Sequence, residues 1–306
     1  MNILLPPLIY MCILPALQEG PGGKNKQRFV YEADLALVKQ QSISNVACDE
    51  KAFFPNIEEE TIVVDEFYMS RTEVTNKSYH DFLNYLAVQE EDSAAWERNF
   101  PDTLVWINSE TYSYSEPTTN MYFWHPAYDN YPVVGVTYEQ CQAYCDWLTR
   151  TYNNDPHRKF KKVQFSLPTR KQFIAAAICG EGQRLFSFEG NEIMNKNGPK
   201  LNIDNRRAFE ASMDIQTCKI NFKQQKTYYD DKADYTNKVI SYQPNEYGIY
   251  NLSGNVQEFI AEYGYVKGGG WRDLLEDASL VKEESYSKED EKSSQRGFRF
   301  VMKIIE

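Results

Sequence analysis

The sequence has little of what metal-dependent or disulfide-based chemistry needs. Its 306 residues include only three histidines and six cysteines. No two cysteines have the two-residue spacing of a zinc ribbon or a thioredoxin-like motif, which argues against both. His80, His125 and His157 are far apart along the chain, which argues against a compact histidine metal site. Cys141 and Cys145 have i, i+4 spacing on a predicted helix, and this favours a buried apolar face over a metal site.

Basic charge is also scarce, and apolar runs are short. The chain has 33 Lys and Arg residues against 44 Asp and Glu residues, giving a net charge of −11. Because affinity for nucleic acid depends on clustered basic side chains, nucleic acid is not an expected partner. The apolar segment 3–17 is interrupted by three prolines and is too short to span a bilayer as a helix.

The length of that segment suits the core of a signal peptide. We therefore predict a leader at residues 1–23 and export to the periplasm or outer membrane, with Cys12 as a candidate lipidation site. The segment has no basic residue before the apolar run, and Ile9-Tyr10-Met11 is a poor lipobox. The alternatives are a mis-assigned start codon and an ordinary apolar N-terminal segment.

Residues 30–306 show no convincing internal linker, so we predict one mixed domain there. The apolar spacing after Thr75 predicts a capped helix, and Thr137 with Gln140 forms a capping box before another. Residues 180–240 are rich in glycine and asparagine and predict loops. The predicted strands are 35–38, 62–64 and 131–137, and the predicted helices are 76–87, 137–149 and 169–178.

Residues 89–131 form a long aromatic, turn-rich insertion. A loop of this length inside a compact domain is uncommon and often functional. We therefore predict that it contacts a partner. The predicted partner-binding residues are Trp106, Tyr112, Tyr114, Phe123, Trp124 and His125.

Several motifs together resemble those of the formylglycine-generating enzyme (sulfatase-modifying factor) family. They are FYMSRTEVTNKSYHDFL at 67–83, NEYGIYNLSGNVQEF at 245–259, VKGGGWR at 266–272 and RGFRF at 296–300. The resemblance implies an α+β fold, the sulfatase-modifying-factor variant of the C-type lectin fold. We expect it to be loop-rich, with short antiparallel strands and two to three helices. The aromatic series in the insertion further resembles the gliding-motility and type IX secretion lipoproteins of the Bacteroidota.

The resemblance also implies where the catalytic site should be, and the sequence departs from it there. Catalytic members have a pair of cysteines between the glycine-tryptophan segment and the final Gly-Phe-Arg, whereas residues 272–296 contain no cysteine. No other residue type in that interval replaces a soft thiolate pair. We therefore predict no enzyme activity.

The predicted function is a non-catalytic structural or interaction protein of the cell envelope. Its expected partners are proteins of a secretion or motility complex, with association to the outer membrane through a lipid anchor. Two alternatives stay open. One is an oxidoreductase of the formylglycine-generating or non-haem-iron type with a relocated site, and the other is a lectin-like ligand-binding module.

The resemblance implies a structural calcium ion as the one cofactor. Ca²⁺ takes six to eight oxygen ligands, and Asn251, Asn255 and Glu258 supply side-chain oxygens around a glycine turn. A second family site matches Asn221 and Asp234 less closely. The alternative is that these side chains only link loops by hydrogen bonds.

Overall fold

The three predicted helices are present, each begun by a threonine cap. The structure is a computed structural model that describes residues 34–44, 61–107, 116–180, 184–188, 194–195, 198–204, 209–214, 219–224, 233 and 235–306. The helices are α1 (Asn76–Val88), α2 (Ser93–Asn99), α3 (Glu116–Met121), α4 (Tyr138–Asn154) and α5 (Arg170–Ile178). Thr75, Thr137 and Thr169 accept hydrogen bonds from the first turns of α1, α4 and α5. The capping boxes of α4 and α5 are completed by Gln140 and Gln172, so both helix starts are fixed by local sequence.

Two short helices, α2 and α3, were not predicted, so the expected number of two to three helices is too low. Both lie in the segment predicted to be turn-rich, together with 3-10 turns at Thr103–Trp106 and Pro126–Tyr128. Helices of six or seven residues show too little of the 3.6-residue apolar period to be recognised from it. Asp92, which caps α2 by accepting from the Ala95 amide, was the local signal that could have predicted that helix.

Most strands are short, and most pairs among them are antiparallel. The strands are β1 (Leu35–Val38), β2 (Gln41–Ser44), β3 (Thr61–Val64), β4 (Phe67–Ser70), β5 (Val163–Ser166), β6 (Met194–Asn195), β7 (Gly198–Pro199), β8 (Phe209–Asp214), β9 (Lys219–Gln224), β10 (Gln257–Phe259), β11 (Tyr265–Lys267), β12 (Glu284–Ser285), β13 (Arg296–Gly297) and β14 (Val301–Ile304). One four-stranded sheet has the order β1-β4-β14-β5 and a second has the order β12-β11-β10-β13. Among the described strands, only β10 and β13 form a parallel pair. The described part of the chain is thus a mixed α/β fold with few helices.

The first sheet separates two hydrophobic clusters. Because successive strand side chains point to opposite faces, Val301 packs with helix α5 and Met302 packs with α1 and α4. The predicted strand at 131–137 is wrong: these residues make a single bridge, between Pro132 and Thr75. Pro132 has no amide hydrogen to donate, and Gly135 has a φ of 75°, which ends an extended path. Within the described residues, no helix is both long enough and apolar enough to cross a membrane.

Candidate functional site

A fully buried ion pair joins the second sheet to the loops around it. Glu258 lies in β10, and its carboxylate binds Arg299 at both oxygens, with N–O distances of 2.5 and 2.6 Å. Both side chains are completely buried. Arg299 also donates to the backbone oxygens of Tyr250 at 2.8 Å and Ser70 at 3.3 Å. One guanidinium therefore connects β4, β10 and the loop before β10.

A second buried carboxylate, Glu73, lies beside this pair. The amide nitrogen of Asn251 donates to both Glu73 oxygens, at 3.0 and 3.2 Å, and that of Asn255 donates to one of them at 2.8 Å. Arg299 is 4.0 Å away. Burial raises the pKa of Glu73 to about 7, although the Arg299 charge opposes this and the Glu258 charge adds to it. The site therefore holds two carboxyl groups against one guanidinium.

The same geometry tests the predicted calcium site at Asn251, Asn255 and Glu258. Both Glu258 oxygens are bound to Arg299, and the Asn255 side-chain oxygen accepts from the Asn237 amide at 2.7 Å and from Asn202 at 3.3 Å. These two side chains do not fit a calcium cage, because their oxygens already have donors. The Asn251 side-chain oxygen does fit, since it is buried without a hydrogen-bond partner.

No group of three or more His, Cys, Asp or Glu residues in the described ranges is arranged to hold a metal ion. The side chains of the second predicted calcium site lie outside the described part of the structure. Asp234 lies outside the described residues, and Asn221 lies in β9, where only the backbone is described. Calcium binding stays a prediction.

The raised pKa of Glu73 predicts how stability depends on pH. Its pKa is about 7 in the folded state against 4.5 for the unperturbed group, so the folded state binds the proton more tightly. Stability from this group is present below the lower value and is lost as pH rises through the higher one. In Glu73→Gln the group cannot ionise, so the free energy of unfolding should shift in favour of the variant by about 3 kcal/mol as pH rises across this window.

Urea titrations of wild type and Glu73→Gln across that pH window measure the shift. A difference in hydrogen bonding that does not depend on pH would offset the two curves of unfolding free energy against pH without changing their slopes. The control is Glu97→Gln, the same change on the exposed surface of α2. Parallel curves for wild type and Glu73→Gln would contradict the prediction.

The interval that carries the cysteine pair in the resembling enzymes is occupied here by a polar cluster. Gln257 is buried, and its amide nitrogen donates to Asp273 at 2.9 Å and to Glu284 at 2.6 Å. Its oxygen accepts from Arg296 at 3.1 Å. We call these four residues the Gln257 cluster. Asp273 also accepts from the Gly270 amide at 2.7 Å, which fixes the start of the interval.

Burial raises the pKa of both Asp273 and Glu284. Chemically, the Gln257 cluster can hold protons and cross-link loops. Arg296 ties it further to the backbone, donating to the oxygens of Asp290 at 2.7 Å and Glu291 at 2.9 Å. Sequence reasoning missed this cluster, because Gln257 is separated from its partners by 16 to 39 residues.

The described cysteines lie elsewhere and are poorly suited to thiolate chemistry. Cys141 and Cys145 are buried on α4, as the sequence predicts, and burial raises the pKa of both thiols. Cys179, at the end of α5, has its pKa raised to about 12, mainly by burial. The thiolate is the reactive form, so these shifts disfavour reactivity. Cys12, the predicted lipidation site, lies outside the described residues.

Two of the predicted partner-binding residues are in the core, and that part of the prediction is wrong. Trp106 is 1% exposed and Phe123 is 4% exposed. Trp106 packs against Tyr122, Tyr235 and Trp271, with ring centroids 4.6, 5.6 and 6.3 Å apart. Aromatic rings bury a large apolar area, so an aromatic loop folds inward onto the domain.

The other predicted partner-binding residues differ in how exposed their side chains are. Trp124 is half-buried, stacked on His80 at 5.3 Å. His125 is exposed and accepts from the Ala127 amide through Nδ1 at 3.2 Å. Tyr112 and Tyr114 lie outside the described residues. Among the described residues of the insertion, the exposed large apolar side chains are ones that the sequence reasoning did not select: Leu104, Ile107 and Met121.

The fold agrees with the comparisons to known proteins. The chain belongs to the family of sulfatase-modifying factor enzyme 1-like domains, which matches residues 22–304. It is 24% identical to the formylglycine-generating enzyme of Mus musculus over 218 residues, which is 66% of this chain and 50% of that enzyme. The chain thus spans about half the length of the curated relative that it matches.

A solved structure shows the same fold at low sequence identity. PvdO from Pseudomonas aeruginosa matches with a TM-score of 0.55 and 15% identity, covering 88% of this chain and 94% of that chain. CarF matches with a TM-score of 0.49 and 18% identity, covering 88% and 97%. At these identities the likeness to PvdO concerns the fold alone.

Proposed function

We propose that this protein is a non-catalytic structural or interaction protein of the cell envelope, similar to the gliding-motility and type IX secretion lipoproteins. We further propose that its fold is the sulfatase-modifying-factor variant of the C-type lectin fold. One observation carries the functional proposal. In the interval where the resembling enzymes have a reactive cysteine pair, this chain has Asp273, Glu284 and Arg296. These three side chains are hydrogen-bonded to Gln257 in the Gln257 cluster.

The rival proposal, an oxidoreductase with a relocated site, has less support. A relocated thiol site would need two accessible thiolates close together. Cys141 and Cys145 are the near pair among the described cysteines, and both are buried with raised pKa values. Exposed Asp or Glu cannot supply the soft ligands that such a site uses. Cross-linking to glycan distinguishes the lectin-like alternative.

The partner surface that the structure supports is the apolar group of Leu104, Ile107 and Met121. These side chains are 58%, 44% and 48% exposed. The turn that carries Leu104 packs against α3, which carries Met121, so the group lies on neighbouring elements. Exposed apolar patches of this kind mark interaction sites when they are contiguous. Trp106 and Tyr122 beneath them hold these two elements together.

Site-specific photo-cross-linking in the native envelope tests the proposal. A photoreactive residue at Leu104 should capture proteins of a secretion or motility complex. The matched control is Val63 in β3, which is also 58% exposed but lies in a different element. Equal capture from both positions, or capture of none of these proteins from Leu104, would contradict an envelope-complex role. Capture of glycan alone would favour the lectin-like module.

The absence of catalysis is tested separately. Purified protein supplied with Cu(I) and a cysteine-containing peptide should consume no oxygen above the rate without protein, because the adjacent thiols of Cys141 and Cys145 are buried and have raised pKa values. A formylglycine-generating enzyme is the positive control. Oxygen uptake that is lost in Cys141→Ser or Cys145→Ser would establish the oxidoreductase alternative.

A further inference from the structure

A second exposed surface lies at the turn between β10 and β11. The Tyr265 amide donates to the Glu262 carbonyl at 3.3 Å, which closes the turn. Gly264 has a φ of 89°, a conformation that glycine adopts without strain. The turn presents Tyr263, 53% exposed, and Tyr265, 39% exposed. Two large aromatic rings are thus held at the surface by backbone geometry.

The Tyr263 ring is held by two other aromatic rings. It meets Tyr138 edge to face with centroids 5.2 Å apart, and Tyr286 with centroids 5.9 Å apart. Tyr138 is fixed in turn, because its hydroxyl donates to the Ala261 carbonyl at 2.7 Å. A ring held in this way loses little conformational entropy when a ligand binds to it.

Two carboxylates are adjacent to these rings in the sequence: Glu262 directly precedes Tyr263, and Glu139 directly follows Tyr138. Burial raises the pKa of Tyr138, and the charges of Glu262 and Glu139 raise it further. Glu139 lies at the start of α4. Glu262 binds the Arg170 backbone amide at 2.9 Å, which fixes its position beside the turn.

The neighbouring rings already bind guanidinium groups of the protein itself. Arg170 lies over Tyr265, with its guanidinium carbon 5.4 Å from the centroid, and Arg296 lies over Tyr286 at 5.1 Å. The face of an aromatic ring attracts cations, and the attraction is greater where carboxylates are near. Tyr263 lies beside Tyr286 and is more exposed than either of these two rings.

We infer that Tyr138 and Tyr263, with Glu139 and Glu262, form a binding surface for Lys or Arg side chains of a partner protein. We call it the tyrosine-turn surface. The occupant is cationic because the rings and the carboxylates both favour positive charge, and the whole chain has a net charge of −11. This inference rests on the proposed interaction role and names the chemistry of one partner segment.

The test uses the full chain and a short fluorescent peptide of alternating Arg and Ser, with a peptide of alternating Glu and Ser for comparison. The basic peptide should bind and the acidic one should not. Tyr263→Ala should weaken binding about fivefold, the loss expected for one cation–π contact at a surface site. Tyr263→Phe keeps the ring and should bind as wild type does.

Two variants that each remove one negative charge distinguish binding at this surface from attraction by the net charge of the whole chain. Glu139→Gln should weaken binding, whereas Glu97→Gln makes the same change of net charge on α2 and should not. Equal effects of these two variants, or equal binding by Tyr263→Ala and wild type, would overturn the inference. Since cross-linking from Leu104 is independent of this surface, its result separates failure of the inference from failure of the proposed function.

Discussion

Replacing Glu258 by Gln is expected to lower the free energy of unfolding by about 3–5 kcal/mol, the usual cost of removing one partner from a buried ion pair. The neutral amide of the variant would leave the fully buried Arg299 without its bidentate carboxylate partner. Glu73 cannot replace that partner, because it is 4.0 Å away and already accepts three hydrogen bonds from Asn251 and Asn255. Urea denaturation followed by tryptophan fluorescence measures the loss.

The same variant decides between the two roles considered for Glu258. If Glu258 acts through Arg299, the loss should be equal in calcium and in a chelator. If it is a calcium ligand, the loss should shrink in chelator, because binding of an ion to the folded state alone supplies part of the stability. Glu289→Gln, at an exposed position, should leave stability unchanged within about 0.5 kcal/mol. A Glu258→Gln protein as stable as this control would contradict the ion-pair role.

The long helices were predictable because their signals are local. Thr75, Thr137 and Thr169 each precede apolar residues at helical spacing, and the caps satisfy backbone amides within three residues. The strand at 35–38 was predictable for a similar reason, since its residues are apolar and bounded by polar ones. The bridge at Pro132 was mistaken for a strand, because apolar composition outweighed the missing amide donor.

The site was only half predictable, because its other half comes from distant residues. Asn251, Asn255 and Glu258 were expected to share one calcium ion, which stays a prediction. Asn251 and Asn255 both donate to Glu73, and Glu258 binds Arg299. Their partners were not visible, since Glu73 is 178 residues from Asn251 and Arg299 is 41 residues from Glu258. Spacing alone cannot tell whether a carboxylate oxygen binds a cation from solvent or a guanidinium from a distant part of the chain.

Aromatic composition was ambiguous in the same way. Exposed and buried tryptophans have the same sequence pattern in a segment without periodicity, and only packing separates them. In the insertion, Trp106 packs inward on Trp271, at the start of the interval that carries the Gln257 cluster. The insertion thus packs against the start of residues 272–296 through Trp106. It exposes the smaller apolar side chains of Leu104, Ile107 and Met121 to solvent.

Trp106→Ala is therefore expected to destabilise the protein by about 3–5 kcal/mol, as large-to-small changes of buried aromatic side chains do. The change removes contacts with Tyr122, Tyr235 and Trp271 and leaves a cavity in their cluster. Thermal and urea denaturation measure the loss. If Trp106 were a partner contact instead, the variant would keep its stability and lose only binding.

Leu104→Ala is the matched control, since it lies in the same 3-10 turn but is 58% exposed. It should change stability by no more than about 0.5 kcal/mol, the usual range for a surface substitution. Under the proposed function it should nevertheless reduce recovery of the envelope partner. A Trp106→Ala protein as stable as Leu104→Ala would show that the aromatic cluster is not part of the core. Because one variant should change stability and the other should change binding, the pair separates the residues that build the insertion from those that present its surface.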